Sequence, residues 1–165
     1  MGVVLEREAL VESVERRRSA GERIVFTNGC FDILHRGHVD YLERAKALGD
    51  VLVVGVNTDS SVAGLKGPAR PIVPEDDRAH VLAALCAVDY VTLFDEPTPH
   101  ELVSAVRPDV LVKGAGYTPD TIVGADVVES SGGRVVALPA LEGRSTRSII
   151  ATILDRGRAC IEAGR

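Results

Sequence analysis

The chain has 165 residues, 45% of them apolar, 26% charged and only 4% aromatic, a composition that suits one soluble domain with a core of Val, Leu, Ile and Ala. No run reaches the roughly 18 apolar residues that cross a bilayer. A net charge of −5 argues against a nonspecific nucleic-acid binder, whose affinity comes from neutralising phosphates, yet a few local cations suffice for a small phosphorylated ligand. In chain order, residues 5–20 carry Leu5, Ala9, Leu10, Val11 and Val14 on a helical period, and Gly21 ends that helix. Ile24-Val25-Phe26 is a short buried strand that stops at Asn28-Gly29. Val39, Leu42, Ala45 and Leu48 mark a helix closed by Gly49-Asp50, and Val51 to Val56 is the next strand. Then come a helix over Glu75–Ala87 with Val81, Leu82 and Leu85 inward, a strand over Tyr90–Phe94, and a helix over Thr98–Val106. A strand over Asp109–Val112, a helix over Thr121–Ser130, a strand over Arg134–Leu138 and a helix from Ser145 to about Cys160 complete the chain.

Short continuous apolar strands alternating with helices mean β-α-β units, so the expected fold is α/β, a parallel five-stranded sheet with helices on both faces. Ligands bind at the carboxyl ends of such strands, which directs attention to residues 27–38, 57–70, 113–118 and 139–147. The three cysteines, Cys30, Cys86 and Cys160, are odd in number and far apart, and the apolar start Met1-Gly2-Val3-Val4-Leu5 is too short for a signal peptide. The expectation is therefore a cytoplasmic protein without disulfides, structural metal or membrane association. Neither a P-loop nor a complete dinucleotide fingerprint is present.

The segment from Thr27 to His38 concentrates the chemistry. Asn28-Gly29-Cys30-Phe31-Asp32 leaves a strand, and Leu34-His35-Arg36-Gly37-His38 enters a helix whose N-terminus is a natural anion site. Gly29 and Gly37 let the backbone turn and approach a ligand closely. His35 and His38 share a helix face, and His38 lies four before the apolar Leu42, so its ring is expected to be partly buried. Two imidazole donors there suit the extra negative charge on a phosphorus under attack. A lone histidine is more often structural; the strand-turn-helix context is what lends these two weight.

That context resembles the signature of the H-x-G-H nucleotidyltransferases, which are cytidylyltransferase-like. It most resembles the D-glycero-β-D-manno-heptose 1-phosphate adenylyltransferase domain of ADP-heptose synthesis. Further support comes from Arg107-Pro108-Asp109-Val110-Leu111-Val112-Lys113-Gly114, Ile122-Val123-Gly124-Ala125, Gly132-Gly133-Arg134-Val135 and Glu142-Gly143 before the turn Arg144-Ser145-Thr146-Arg147. The resemblance runs over residues 23–155, the expected catalytic core behind an N-terminal helix within 1–21. It implies a Rossmann-like fold and a reaction of ATP, with Mg²⁺, and the sugar phosphate to give ADP-heptose and pyrophosphate. His35, His38 and Lys66 are the implied catalytic residues. Thr27, Asn28, Gly29, Cys30, Phe31, Gly37, Lys113, Gly114, Ser145, Thr146 and Arg147 would bind nucleotide, while Asp32, Asn57, Asp59 and Arg78 would bind the acceptor. The resemblance further implies a homodimer, and a separate sugar kinase upstream, since no kinase half accompanies these residues.

Two positions depart from the pattern. Gly116 stands where the heptose enzymes carry Asp. Arg147 stands where the family carries a hydroxyl, and it either replaces that contact with a cationic one or points to solvent. A cytidylyltransferase for a polyol phosphate such as glycerol 3-phosphate is the alternative, although Ala140-Leu141-Glu142-Gly143 lacks the Arg of its R-T-E-G motif. A nucleotide-binding module without catalysis, a Cys30–His35 thiol hydrolase and a metal site on Asp32, His35 and His38 are the remaining readings. Arg78 has a plainer alternative as well, a salt bridge to Asp76 or Asp77.

Overall fold

The computed structural model describes the backbone of residues 1–114, 116–118 and 121–163, with side chains of the last helix described to residue 158. Its strands are β1 (Val3–Val4), β2 (Ile24–Gly29), β3 (Val51–Asn57), β4 (Tyr90–Phe94), β5 (Val110–Lys113) and β6 (Arg134–Ala137). All pairings are parallel, in the order β1-β4-β3-β2-β5-β6. The helices are α1 (Arg7–Ser19), α2 (Arg36–Lys46), α3 (Asp59–Lys66), α4 (Glu75–Ala83), α5 (His100–Val106), α6 (Ala125–Ser130) and α7 (Thr146–Ala163). The expected Rossmann-like sheet is present, with six strands rather than five.

The strands read as unbroken apolar runs because both their faces are covered. Successive side chains of a strand point to opposite faces. Ile24 and Phe26 of β2, with Val51 and Val53 of β3, meet Leu10 and Val14 of α1, Leu102, Val103 and Val106 of α5, and Val128 of α6. Val25, Leu52 and Val54 point the other way, to Leu42 and Ala45 of α2 and Ala79 and Leu82 of α4. Burying each such Leu, Val or Phe fully contributes roughly 1.5–3 kcal/mol.

Three expectations from sequence need correction. Val3-Val4 pairs with Tyr90-Val91 as an edge strand, and two half-exposed residues at a sheet edge leave no periodic signal. Residues 59–66 form α3, which a loop reading passes over: Ser60, Ser61 and Gly64 favour helix weakly, and only Val62 is buried. In α4 the inward residues are Arg78, Ala79, Leu82 and Ala83, while Val81 is 47% exposed. A buried arginine turns the helix away from the register that its apolar residues alone suggest.

The order of strands fixes where a ligand fits. From β2 the chain builds towards β3 and β4; from β5 it builds the other way to β6. The carboxyl ends of β2 and β5 therefore flank the crevice where the direction of winding reverses. Asn28 and Gly29 lie on one side of it, and Lys113 and Gly114 on the other.

Candidate active site

β2 delivers Thr27, Asn28 and Gly29 to the crevice, and the chain then turns sharply before α2. Phe31 and Ile33 take left-handed backbone angles, with φ of 47° and 52°, a conformation that costs a bulky residue energy and that the surroundings must hold. Asp32 does much of the holding. It is 2% exposed, and its carboxylate accepts the N–H groups of Ile72 (2.9 Å) and Val73 (3.0 Å) and pairs with Arg70 at 2.6 Å. Burial pulls its pKa up, but those backbone donors and Arg70 outweigh it and hold the carboxyl below the usual range. Arg78, 1% exposed, fastens the same loop from beneath: it donates to the carbonyls of Cys30 (2.6 Å) and Val73 (2.9 Å) and pairs with Asp59 at 2.6 Å. The plainer expectation of a pair with Asp76 or Asp77 is thus corrected, because Arg78 points inward and those acids do not.

The two histidines stand at the mouth of α2 with rings stacked 3.9 Å apart. His35 is the N-cap residue, and the N–H of Gly37 donates to its Nδ1 at 3.1 Å. A neutral ring accepting at Nδ1 carries its proton on Nε2, free to donate outward. Glycine suits position 37: a Cβ there would lie 3.0 Å from the ring of His35 and 3.2 Å from Cβ of Arg144, so those side chains would have to shift by a few tenths of an ångström. His38 packs against Phe31 with ring centroids 5.5 Å apart, and its buried Nδ1 has no partner among the described residues. Burial, then the neighbouring His35, push the pKa of His38 down to about 4; burial also lowers that of His35. Both rings are therefore neutral donors near pH 7.

Lys113 ends β5 and reaches across the crevice to the carbonyl of Asn28 at 3.2 Å. Burial pushes its pKa down to about 8, and its Nζ lies 5.3 Å from the centre of the Tyr117 ring. Beneath it the hydroxyl of Tyr41 bonds Thr27 at 2.7 Å, and burial raises its pKa to about 12. On the far wall, Asn57 donates to Ser61 at 3.0 Å. α7 supplies the last wall. Ser145 caps that helix by accepting the N–H of Ser148 at 3.1 Å, and the hydroxyl of Thr146 donates to the carbonyl of Asp32 at 2.6 Å. Both hydroxyls are thus engaged within the protein, and the residues that begin α7 line the pocket.

These residues surround a cavity of about 740 Å³. Of the sequence-derived candidates, Asn28, Gly29, Cys30 and Phe31 line it from β2, with His35, Gly37 and His38 from α2. Asn57, Lys66, Lys113, Gly114, Ser145 and Thr146 line it from the other walls. Thr27, Asp32, Asp59 and Arg78 stand behind the lining and position it, and Arg147 is exposed outside it. Arg144 lines the cavity instead, at the meeting of the starts of α2 and α7; among the described residues its side chain makes one hydrogen bond, to the carbonyl of Gly143. Tyr41, Arg70 and Arg144 escape a sequence reading because nothing local marks them, save that Arg144 directly precedes the hydroxyl turn. Gly116 adopts φ of 95°, a backbone angle that suits glycine and that Asp would occupy with strain.

The described lining holds Lys66, Lys113 and Arg144 but no carboxylate, so the cavity is built for an anion. Among the described residues no group of three or more His, Cys, Asp and Glu could hold a metal ion, and Asp32 turns away from the histidines towards Arg70. Cys30 is half-buried with a free thiol, and burial raises its pKa, the reverse of an activated nucleophile. Cys86 is free as well; the side chain of Cys160 lies outside the described residues.

The cytidylyltransferase-like family model matches residues 26–137, from within β2 to the end of β6, and so takes in every wall of the cavity except the one at the start of α7. The chain belongs to that family. It is 57% identical over 150 residues to the bifunctional protein HldE of Syntrophotalea carbinolica, covering 91% of this chain and 31% of that protein. It is 53% identical over 153 residues to HldE of Trichlorobacter lovleyi. The chain thus spans about a third of the length of these curated relatives. Among solved structures, the lipopolysaccharide core biosynthesis protein of Thermoplasma volcanium is 32% identical with a TM-score of 0.60, over 75% of this chain and 100% of that one. Pantothenate synthetase of Thermus thermophilus, 18% identical with a TM-score of 0.61 over 90% of this chain and 67% of that one, shares the fold alone. Within this cytidylyltransferase-like chain, no helix among the described residues is long and apolar enough to cross a membrane.

Proposed function

We propose that the chain is an adenylyltransferase that joins AMP from ATP to a sugar 1-phosphate, D-glycero-D-manno-heptose 1-phosphate, giving ADP-heptose and pyrophosphate. The observation that carries this reading is the carboxylate-free cavity, where two neutral imidazoles, three cations and the starts of α2 and α7 converge. An acceptor phosphate oxygen attacks the α-phosphorus, the bond to the bridging oxygen breaks, and pyrophosphate leaves with the electron pair. No protein nucleophile is needed, so positioning and charge stabilisation are the tasks left to the side chains.

In this scheme His35 and His38 donate to the α-phosphate oxygens as their charge grows. Lys66, Lys113 and Arg144 share the triphosphate and the acceptor phosphate, and the N-terminus of α7 receives the leaving pyrophosphate. Asn28, Gly29, Cys30, Phe31 and Gly114 offer the nucleotide backbone close to its path, and Asn57 faces the acceptor side. Mg²⁺ arrives with ATP. The lining offers it no free carboxylate, since Asp32 and Asp59 are taken by Arg70 and Arg78, so phosphate oxygens and water would be its ligands.

A sugar phosphate suits the chain's likeness to a protein of lipopolysaccharide core biosynthesis. Such an acceptor must be made by an upstream kinase, and the same reading expects a cytoplasmic homodimer, which light scattering checks. The decisive experiment is a pyrophosphate-release screen that crosses ATP, CTP, GTP and UTP with heptose 1-phosphate and glycerol 3-phosphate. ATP with heptose 1-phosphate should give the highest kcat/KM. Preference for CTP with glycerol 3-phosphate would replace the proposal with the cytidylyltransferase reading, and no turnover with any pair would leave a binding module.

A further inference from the structure

At the opposite end of the strands, the amino ends of β2, β5 and β6 border a second cavity of about 720 Å³. Four arginines from four separate segments reach it: Arg18 from the end of α1, Arg23 before β2, Arg107 after α5 and Arg134 at the start of β6. Among the described residues two acids line it, both engaged, and Asp50 beside it accepts the N–H of Arg23 at 2.8 Å. Glu15 pairs with Arg18, and Asp109 accepts the N–H of Ile24 at 2.7 Å.

Helices end here, and their unpaired carbonyls attract cations. That need explains Arg18, which donates to the carbonyls of Val106 and Arg107 at 2.8 Å each. It does not explain the others. The side chains of Arg23, Arg107 and Arg134 make no ion pair and no hydrogen bond among the described residues, and these three exposed residues line one cavity. Nor does solubility call for them, in a chain whose net charge is −5.

We propose that this cavity is a second anion site, and that it takes a small phosphorylated molecule. Guanidinium groups present planar forks that match phosphate oxygens two at a time, and three free forks around one hollow suit the several oxygens of a phosphoryl group better than a single carboxylate. The volume lies within the roughly 300–1,000 Å³ of small-molecule pockets. Since the crevice between β2 and β5 opens at the other end of the strands, this site stands or falls independently of the proposed transferase reaction.

The test is calorimetric titration of the full chain with inorganic pyrophosphate at low salt. Three proteins are compared: the wild type, R107Q/R134Q and K66A/R144Q. The wild type should show a binding event that R107Q/R134Q weakens at least tenfold and K66A/R144Q leaves in place. R107Q/R134Q should also keep its melting temperature in the absence of pyrophosphate. An isotherm unchanged by R107Q/R134Q overturns the site. A decaglutamate peptide that binds the wild type more tightly than pyrophosphate, and loses that affinity in R107Q/R134Q, overturns the ligand class in favour of an acidic protein segment.

Discussion

The two walls of the candidate active site are built differently. The loop between β2 and α2 is fixed from every side: Asp32 is tied to Arg70, Ile72 and Val73, Arg78 holds the carbonyl of Cys30, and Gly37 carries the ring of His35. The start of α7 is largely exposed and, among the described residues, joins that loop through one hydrogen bond, Thr146 to Asp32. In the proposed reaction the first wall meets the α-phosphate, where charge develops, and the second meets the departing pyrophosphate. Donors that are set before the reaction need no reorganisation when charge appears, whereas a wall that must admit and release a ligand gains from being lightly held. The comparison therefore predicts that substitutions in the fixed wall lower turnover or stability, and that those in the light wall change substrate affinity.

The largest effect should come from His38. His38→Ala removes a donor whose position the stack on His35 and Phe31 sets, and kcat should fall about a hundred- to a thousand-fold in the pyrophosphate-release assay. A loss below threefold sinks the assigned role. Next comes Asp32→Ala, which leaves Arg70 without its carboxylate and two backbone N–H groups without an acceptor. Unfolding in urea should show about 3 kcal/mol of lost stability, and a change under 1 kcal/mol would mean that the loop is held by something else.

Acid should reveal the same wall. The ring of His38 has its pKa lowered from 6.5 to about 4, so in that interval the unfolded chain binds a proton that the folded chain does not. Stability from this group is full above pH 6.5 and is lost as the pH falls towards 4. The ring is part-buried and solvent screens the remainder, so the loss across this window is about 2 kcal/mol. His38→Gln should flatten that part of the stability curve, and an unchanged slope would show that the ring is freely solvated.

The difference between the walls also marks what a sequence can reveal. The fixed wall was legible because its glycines and histidines serve local geometry: Gly37 leaves room for the ring of His35 to cap its own helix, and strand, turn and helix follow one another within a few residues. The contacts that fix it were not legible, even though Arg78 stands out in the sequence as an acceptor-binding candidate. Arg70 and Arg78 come from beyond α3 and reach Asp32 and Cys30 only when the sheet brings them together, so spacing along the chain says nothing about them. The two-residue β1 and the Ser- and Gly-bearing α3 were missed for a related reason, because tertiary contacts supply what local propensity does not.

The light wall yields the smallest effects, and they separate two neighbouring arginines. Arg144 lines the cavity without an ion pair among the described residues, so Arg144→Gln should raise KM for ATP about tenfold, the worth of one charge-assisted contact to phosphate, with kcat little changed. Arg147 occupies the position where the family carries a hydroxyl, but here it lies outside the cavity, on the exposed side of α7. Restoring the hydroxyl with Arg147→Thr should therefore alter KM and kcat less than about twofold, since a side chain facing solvent has little to exchange. If Arg147→Thr instead raised kcat/KM several-fold while Arg144→Gln had no effect, α7 would have to rotate about its axis when ATP binds. The contact of Thr146 with Asp32 would then be a resting contact that breaks on loading, because that rotation would draw the threonine hydroxyl away from the loop.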